Sequence, residues 1–303
     1  MSGETTIRPL RADDLPTVLA LDRAAGWSHD EAAFRYLLDD AETRGFVAER
    51  DGAVAGFAFA GVREPVGWLG SLAVDPMWQG RGIGTALCLA ADAFFREAAC
   101  DTAILEVAVE NRRAIDLYDR LGFVVTGVND LCVTPPGDAP IVPPRDQGGD
   151  GAAREVAALT EAELPLLAAL DDAYYGGWRE QDLLYWVGQG PDLARLVRVE
   201  GEPVGYCLVE RGTGRLGPAA APTLPDLLAL LDAILPALSL GEGAAPHAAS
   251  LRLADPDEDA LAALAARNLH PIPALRHVRM EKLYRRPLRR LPGYYVSARP
   301  EKG

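Results

Sequence analysis

The chain is 303 residues long, 49% hydrophobic and 24% charged, an ordinary globular mix with room for about two domains of ~150 residues, each able to bury a core. Its 30 Lys and Arg against 44 Asp and Glu give a formal charge of −14, which argues against nucleic-acid partners because neutralising phosphates needs basic surface. Cys88, Cys100, Cys132 and Cys207 form no CxxC pair, and His29, His247, His270 and His277 do not cluster, so neither a metal site nor a disulfide framework is expected. The stretch Met1 to Leu15 is polar and lacks the apolar core of a signal peptide, and no apolar run approaches the ~20 residues of a membrane span, so a cytoplasmic protein with no membrane partner is expected.

Ile7 to Leu10 reads as a short strand, and Asp14 to Ala25 as a helix with Leu15, Val18, Leu19 and Asp22 on neighbouring turns. A second helix follows over Asp30 to Asp39, with Ser28 as its expected cap. Phe46 to Glu49 and Ala53 to Val62 form a hairpin around Asp51-Gly52, a pair suited to a type I′ turn. Trp68 to Val74 is a strand, Thr85 to Ala98 a helix, Ala103 to Val109 a strand, Arg113 to Leu121 a helix and Phe123 to Val125 a strand. Helices thus intersperse with a sheet whose early strands are antiparallel. The Pro- and Gly-rich stretch Thr134 to Ala153 suits neither helix nor sheet and reads as a linker.

The two sides of that linker look alike. Asp14-Leu15-Pro16, Leu21-Asp22 and Gly26-Trp27 are answered by Glu163-Leu164-Pro165, Leu170-Asp171 and Gly177-Trp178. At nearly the same offset, Asp51-Gly52 and Gly56-Phe57 meet Glu200-Gly201 and Gly205-Tyr206. Ordered matches at one slowly drifting offset indicate a diverged tandem duplication.

The stretch Leu72-Ala73-Val74-Asp75-Pro76-Met77-Trp78-Gln79-Gly80-Arg81-Gly82-Ile83-Gly84-Thr85 carries the chemistry. An apolar strand ends at Asp75-Pro76, a loop with three glycines follows, and a helix begins. Glycines allow positive φ and close approach of a ligand, and successive N–H groups at a helix N-terminus favour an anion such as a pyrophosphate. Gly80, Gly82 and Gly84 do not spell GxGxxG, and no Walker lysine follows.

Gln79-Gly80-Arg81-Gly82-Ile83-Gly84 resembles the acyl-CoA-binding motif of the GNAT superfamily of N-acetyltransferases, Gln/Arg-x-x-Gly-x-Gly/Ala, at every fixed position. Leu105-Glu106-Val107 and the run from Asn111 to Phe123 resemble that family's second signature. The resemblance covers roughly residues 6 to 133. It implies an α/β (α+β) GNAT fold, a twisted mixed sheet flanked by helices and splayed between strands Trp68–Val74 and Ala103–Val109, here duplicated in tandem. It also implies acetyl-CoA as co-substrate. Backbone groups of Leu72, Ala73 and Val74 would bond the pantetheine, and Gln79, Gly80, Arg81, Gly82, Ile83, Gly84 and Thr85 would hold the pyrophosphate. Asn111 would face the pantetheine arm.

Acyl transfer to an amine needs a proton donor for the departing thiolate and a polarising N–H for the thioester carbonyl. By the resemblance Tyr118 is the general acid; because Ala114, Leu117, Tyr118 and Leu121 share one helix face, a core tyrosine with a satisfied hydroxyl is the competing reading. Glu106, inside a strand where Leu105, Val107 and Val109 take the other face, is the base candidate; an ion pair with Arg112 or Arg113 is the competing reading. Trp27 and Trp178, with Tyr174, Tyr175, Tyr185 and Trp186, are candidates for a substrate wall or for core.

The second half keeps the frame without the chemistry. Pro222-Thr223-Leu224-Pro225-Asp226-Leu227 has no glycine, Arg252 stands where Glu106 should be, and Ala265 stands for Tyr118. The expected organisation is an acetyltransferase domain over 1–134, a linker over 135–153, a degenerate GNAT-like domain over 154–284, and a basic tail over 285–303 that is solvated or docks on the protein itself. The expected activity is transfer of an acetyl group to a small-molecule or peptide amine, with an acyl-CoA-binding sensor or scaffold as the alternative. A homodimer stays open.

Overall fold

In the computed structural model, residues 4–135, 138–143, 152–176, 183–184, 187, 194–210, 214–239 and 249–296 are described. Strand β1 (Thr5–Pro9) pairs antiparallel with β2 (Thr43–Arg50), which pairs with β3 (Ala53–Arg63), which pairs with β4 (Val66–Val74). The β2–β3 turn has φ of 51° at Asp51 and 78° at Gly52, the two positive values a type I′ turn requires. Between β1 and β2 run α1 (Leu15–Ala24) and α2 (Glu31–Asp39). Asp30, not the expected Ser28, caps α2: its side chain accepts from the Ala33 N–H at 2.8 Å. Ser28 lies two residues too early for its oxygen to reach the first-turn donors.

Helix α3 (Ile83–Glu97), β5 (Thr102–Ala108), α4 (Arg112–Arg120) and β6 (Val124–Val133) complete the first half. Helices α3 and α4 cover one sheet face, where Ile83, Leu87, Ala91, Phe95 and Tyr118 pack with Leu105 and Val107. On the other face α1 and α2 set Leu15, Val18, Phe34 and Leu37 against Phe57, Phe59, Trp68 and Ile104. The alternation along β5 therefore turns Glu106 towards the α1/α2 side.

The described elements of the second half follow a similar order, without a counterpart of α2 among the described residues. Strand β7 (Arg154–Ala158), α5 (Leu164–Tyr175), the strands β8 (Arg195–Val199), β9 (Glu202–Glu210) and β10 (Arg215–Ala221), the helix Leu224–Ser239, β11 (Ser250–Ala254) and the helix Glu258–Ala265 follow in turn. A short β12 (His270–Pro271) pairs with β6, and β13 (His277–Leu283) and β14 (Tyr294–Val296) end the described chain. Leu227, Leu230, Leu231 and Ile234 fill this half's own core with Leu216, Leu251 and Leu253.

The halves are not joined by the linker alone. Strand β13 inserts between β5 and β6, pairing His277 with Ala108 and Leu283 with Thr102 on one side, and His277 with Asn129 and Glu281 with Val124 on the other. The far edge of β6 pairs with β11, from Ser250 against Val133 to Ala254 against Asn129. This double pairing explains why β6 runs ten residues where the sequence alone indicated three. One sheet thus runs β1-β2-β3-β4-β5-β13-β6-β11-β14-β10-β9-β8-β7. The basic segment after β13 docks as well: Tyr284 and Arg285 donate backbone N–H groups to the Asp101 carbonyl, and Arg290 Nε donates to the Tyr175 carbonyl at 2.8 Å.

Candidate active site

Strands β4 and β5 are parallel neighbours in the sheet, and they pair only from Val66–Thr102 to Trp68–Ile104. Beyond that point β4 stays with β3 and β5 stays with β13, so the two diverge. The resulting cleft is a cavity of about 670 Å³, bordered by Leu69–Val74 on one wall and Glu106–Ala108 on the other.

A bulge shapes the β4 wall. Phe57 faces Ala73 and Phe59 faces Gly70, so Ser71 and Leu72 together oppose one residue of β3. Ser71 has φ of 45°, in the left-handed region that a side chain rarely occupies. A bulge bends the strand and disrupts its ladder, which turns Ser71 and Leu72 to the cavity they border.

The glycine loop forms the mouth. Asp75 caps the short turn Pro76–Trp78 by accepting from the Met77 N–H, and the chain turns through Gly80 (φ 78°) and Gly82 (φ 82°) into α3. A β-carbon at Gly80 would stand 3.3 Å from the Arg113 guanidinium, and one at Gly84 would stand 3.3 Å from Leu117. These glycines bring α3 and α4 close together at the mouth. Their first-turn N–H groups, over Ile83, Gly84 and Thr85, have no intrahelical acceptor and face an anion's natural position.

Gln79 ties the mouth together: its Nε2 donates to the Val74 carbonyl at 3.1 Å, and its Oε1 accepts from Arg113 at 2.9 Å. Arg81 does not border the cavity; its guanidinium lies 4.9 Å over the Trp78 ring. Asn111 borders it and also caps α4, its Oδ1 accepting from the Ala114 N–H, which leaves the amide NH₂ as the group it can offer.

Tyr118 reaches the cavity from the α4 side and Glu106 from the α1/α2 side. Tyr118 is both core and cavity wall: it is 8% exposed, and its ring meets Phe123 edge-on with centroids 6.1 Å apart. Burial, and secondarily the nearby Cys88, push its phenol well above the ordinary tyrosine range, so the hydroxyl keeps its proton throughout neutral pH. Trp27 borders the cavity with Ala24 and Ala25, on the loop leaving α1. That loop is fastened by Asp22, buried in α1, which accepts from the His29 N–H and lies 2.6 Å from His29 Nδ1.

Trp178, Tyr185 and Trp186 lie outside the described residues. Tyr174 and Tyr175 are core: Tyr174 donates to the Val204 carbonyl, and Tyr175 packs with Tyr295. Sequence reasoning missed Ser71, Arg113 and His277 as cavity residues. Gly70 inside an apolar strand was the available signal for the bulge. For His277 no sequence signal existed, because it enters on the inserted strand.

A mixed sheet opened between two parallel strands, with a glycine-led helix at the mouth of the opening, is the GNAT fold. Residues 11–123 match the acetyltransferase (GNAT) family, so the chain carries a GNAT-family domain over that span. The chain is 38% identical over 100 residues to a mycothiol acetyltransferase of Nocardiopsis dassonvillei, an alignment covering 30% of each protein. It is 32% identical over 151 residues to a mycothiol acetyltransferase of Propionibacterium freudenreichii, covering 45% of this chain and 46% of that one. These alignments span less than half the length of either relative. The fold extends further: a GCN5-related N-acetyltransferase from Sphaerobacter thermophilus superposes with a TM-score of 0.66 at 15% identity, over 95% of this chain and 98% of that one. A solved chain from Pyrococcus horikoshii gives 0.70 at 18% identity, over 99% and 96%. No helix among the described residues is long and apolar enough to cross a membrane.

Proposed function

We propose that this protein moves an acetyl group from acetyl-CoA to a primary amine, by direct transfer within the first half. The observation that carries this reading is one continuous cavity through the β4–β5 opening, with the glycine loop at its mouth and Tyr118 and Glu106 entering from opposite faces. The donor set fits acetyl-CoA. The α3 N-terminus offers N–H groups and Arg113 offers positive charge to a pyrophosphate, and the bulged Leu72–Val74 wall offers backbone partners to a pantetheine. Acetyl-CoA supplies an activated thioester.

The chain's own residues then have separate tasks. The N–H groups of the bulged wall polarise the thioester carbonyl. Glu106, on the acceptor side, takes the amine's proton directly or through water. Tyr118, held neutral by burial, gives its proton to the departing sulfur. Trp27 and the α1–α2 loop close the acceptor end. The similar element order supports a tandem duplication whose second copy lost its glycine loop and serves as scaffold and acceptor wall.

Incubating the full chain with acetyl-CoA and an amine library, while following free thiol, tests the reading. Amine-dependent thiol release is expected. Tight acetyl-CoA binding without release for any amine would replace it with the sensor reading.

A further inference from the structure

Aligning the two halves on Gly70 and Gly217 sets Leu72, Ala73 and Val74 of β4 on Ala219, Ala220 and Ala221 of β10. The two strands share an irregularity at this point. Gly70 and Ala73 face Phe59 and Phe57, so β4 carries one residue more than β3 there. Leu216 and Ala219 face Val209 and Cys207, so β10 likewise carries one residue more than β9. Each strand also starts parallel to its neighbour and then leaves it. Strand β4 pairs with β5 only as far as Trp68–Ile104, and β10 pairs with β11 only at Arg215–Ser250 and Leu216–Leu251. Both halves therefore open at the same place in the sheet.

The openings differ in what lies along the strand. In the first half Leu72, Ala73 and Val74 border the cavity. In the second half β14 lies in the opening, antiparallel to both walls. Ala219, Ala220 and Ala221 pair with Val296, Tyr295 and Tyr294, and Leu253 of β11 pairs with Val296. Val296 is fully buried in the core that holds Ala219, Ala221 and Leu253. The neighbouring helix starts correspond as well. Asn111 caps α4 through the Ala114 N–H and borders the cavity. Asp257 caps the helix Glu258–Ala265 through the Ala260 N–H, and its other oxygen accepts from the Tyr294 hydroxyl at 2.9 Å. Gly293, just before β14, passes so close to the end of β10 that a β-carbon there would stand 2.5 Å from the Ala221 carbonyl oxygen. On the way to this slot the segment is anchored by the Leu291 N–H, which donates to the Ala173 carbonyl.

Resting on the acetyl-CoA and tandem-duplication reading above, we propose that β14 takes, in the second half, the place that a pantetheine arm takes in the first. A pantetheine arm bonds an open strand edge through its amide groups, and an added β-strand offers that edge the same donors and acceptors. The second cleft is thus a strand-binding site filled by the chain itself. It is closed to an acyl-pantetheine chain whether or not a glycine loop stands beside it. Filling the cleft satisfies backbone groups that an empty opening would leave exposed. It also ties the second half to the first, because β13 and β14 belong to one continuous segment.

Hydrogen–deuterium exchange of the full chain, read by mass spectrometry, tests this with acetyl-CoA and S-acetylpantetheine as probes. S-acetylpantetheine has no pyrophosphate and so needs no glycine loop. Either probe should slow exchange in peptides covering Leu72, Ala73 and Val74. Peptides covering Ala219, Ala220 and Ala221 should exchange slowly from the start and respond to neither probe. Gly293→Val, which sets a side chain against the Ala221 carbonyl, should speed exchange at Ala219, Ala220 and Ala221 and along β14 by ~10-fold or more, while the probes still protect β4. Three results would each overturn the proposal: fast exchange at Ala219, Ala220 and Ala221 in the unaltered chain, added protection there from S-acetylpantetheine, or no response there to Gly293→Val. If neither probe protects Leu72, Ala73 and Val74, the acetyl-CoA reading of the first half fails, while exchange along β10 still decides whether β14 fills the second cleft.

Discussion

Met280 lies on β13, near the C-terminus, yet it is 1% exposed inside the core of the first half. Its cross-strand neighbours are Leu105 and Val125. Truncation of a buried Met to Ala costs ~2–5 kcal/mol, from lost transfer energy and the cavity left behind. For a cooperative unit of this size that is roughly 2 °C of Tm per kcal/mol, or about 4–10 °C. Strand β13 seals both β5 and β6, so Met280→Ala should lower the midpoint of the very transition that acetyl-CoA binding raises. The assay is calorimetric or fluorescence-monitored unfolding with and without acetyl-CoA. If unfolding shows two separate steps, and Met280→Ala leaves the acetyl-CoA-sensitive one unmoved, the interlocked-sheet reasoning is wrong.

Tyr118→Phe should leave acetyl-CoA affinity nearly intact, measured by calorimetry, and lower turnover ~10²-fold or more. Because burial raises the Tyr118 pKa, its stabilising contribution is full below the ordinary phenol value near 10, and is lost as pH rises through the higher folded value; a stability–pH profile that falls between pH 7 and 9 through this residue would contradict the burial seen here. Gly82→Asp should abolish acetyl-CoA binding by calorimetry, since it adds left-handed strain at φ 82° and a negative charge where phosphate is expected. A fragment ending at Pro135 lacks β13 and exposes the edges of β5 and β6, so it should aggregate or fail to bind acetyl-CoA; a monomeric, binding-competent fragment by gel filtration and calorimetry would refute this.

Local signals made much of the first half legible in the sequence. Asp51-Gly52 fixed a turn whose two positive φ angles the structure shows, and alternation around Leu105 and Val107 put Glu106 on the face opposite α3 and α4. Gly80, Gly82 and Gly84 marked a loop that leads a helix to a cavity mouth, because each needs either positive φ or a close neighbour. These features depend on residues near one another in the chain, so a linear pattern can encode them.

Only the tertiary structure decided which strand lies beside β5. Strand pairing joins residues far apart in sequence, and β13 meets β5 across more of the chain than any local period spans. Thus His277, isolated in the sequence, borders the cavity, and Arg252, legible only as a lost glutamate equivalent, reaches the imidazole beside Glu106. The sequence determined the chemistry that the first half can carry. The insertion of β13 decided that a strand from the second half borders that cavity beside β5, because backbone N–H and C=O groups at a strand edge are satisfied by whichever strand the fold brings there.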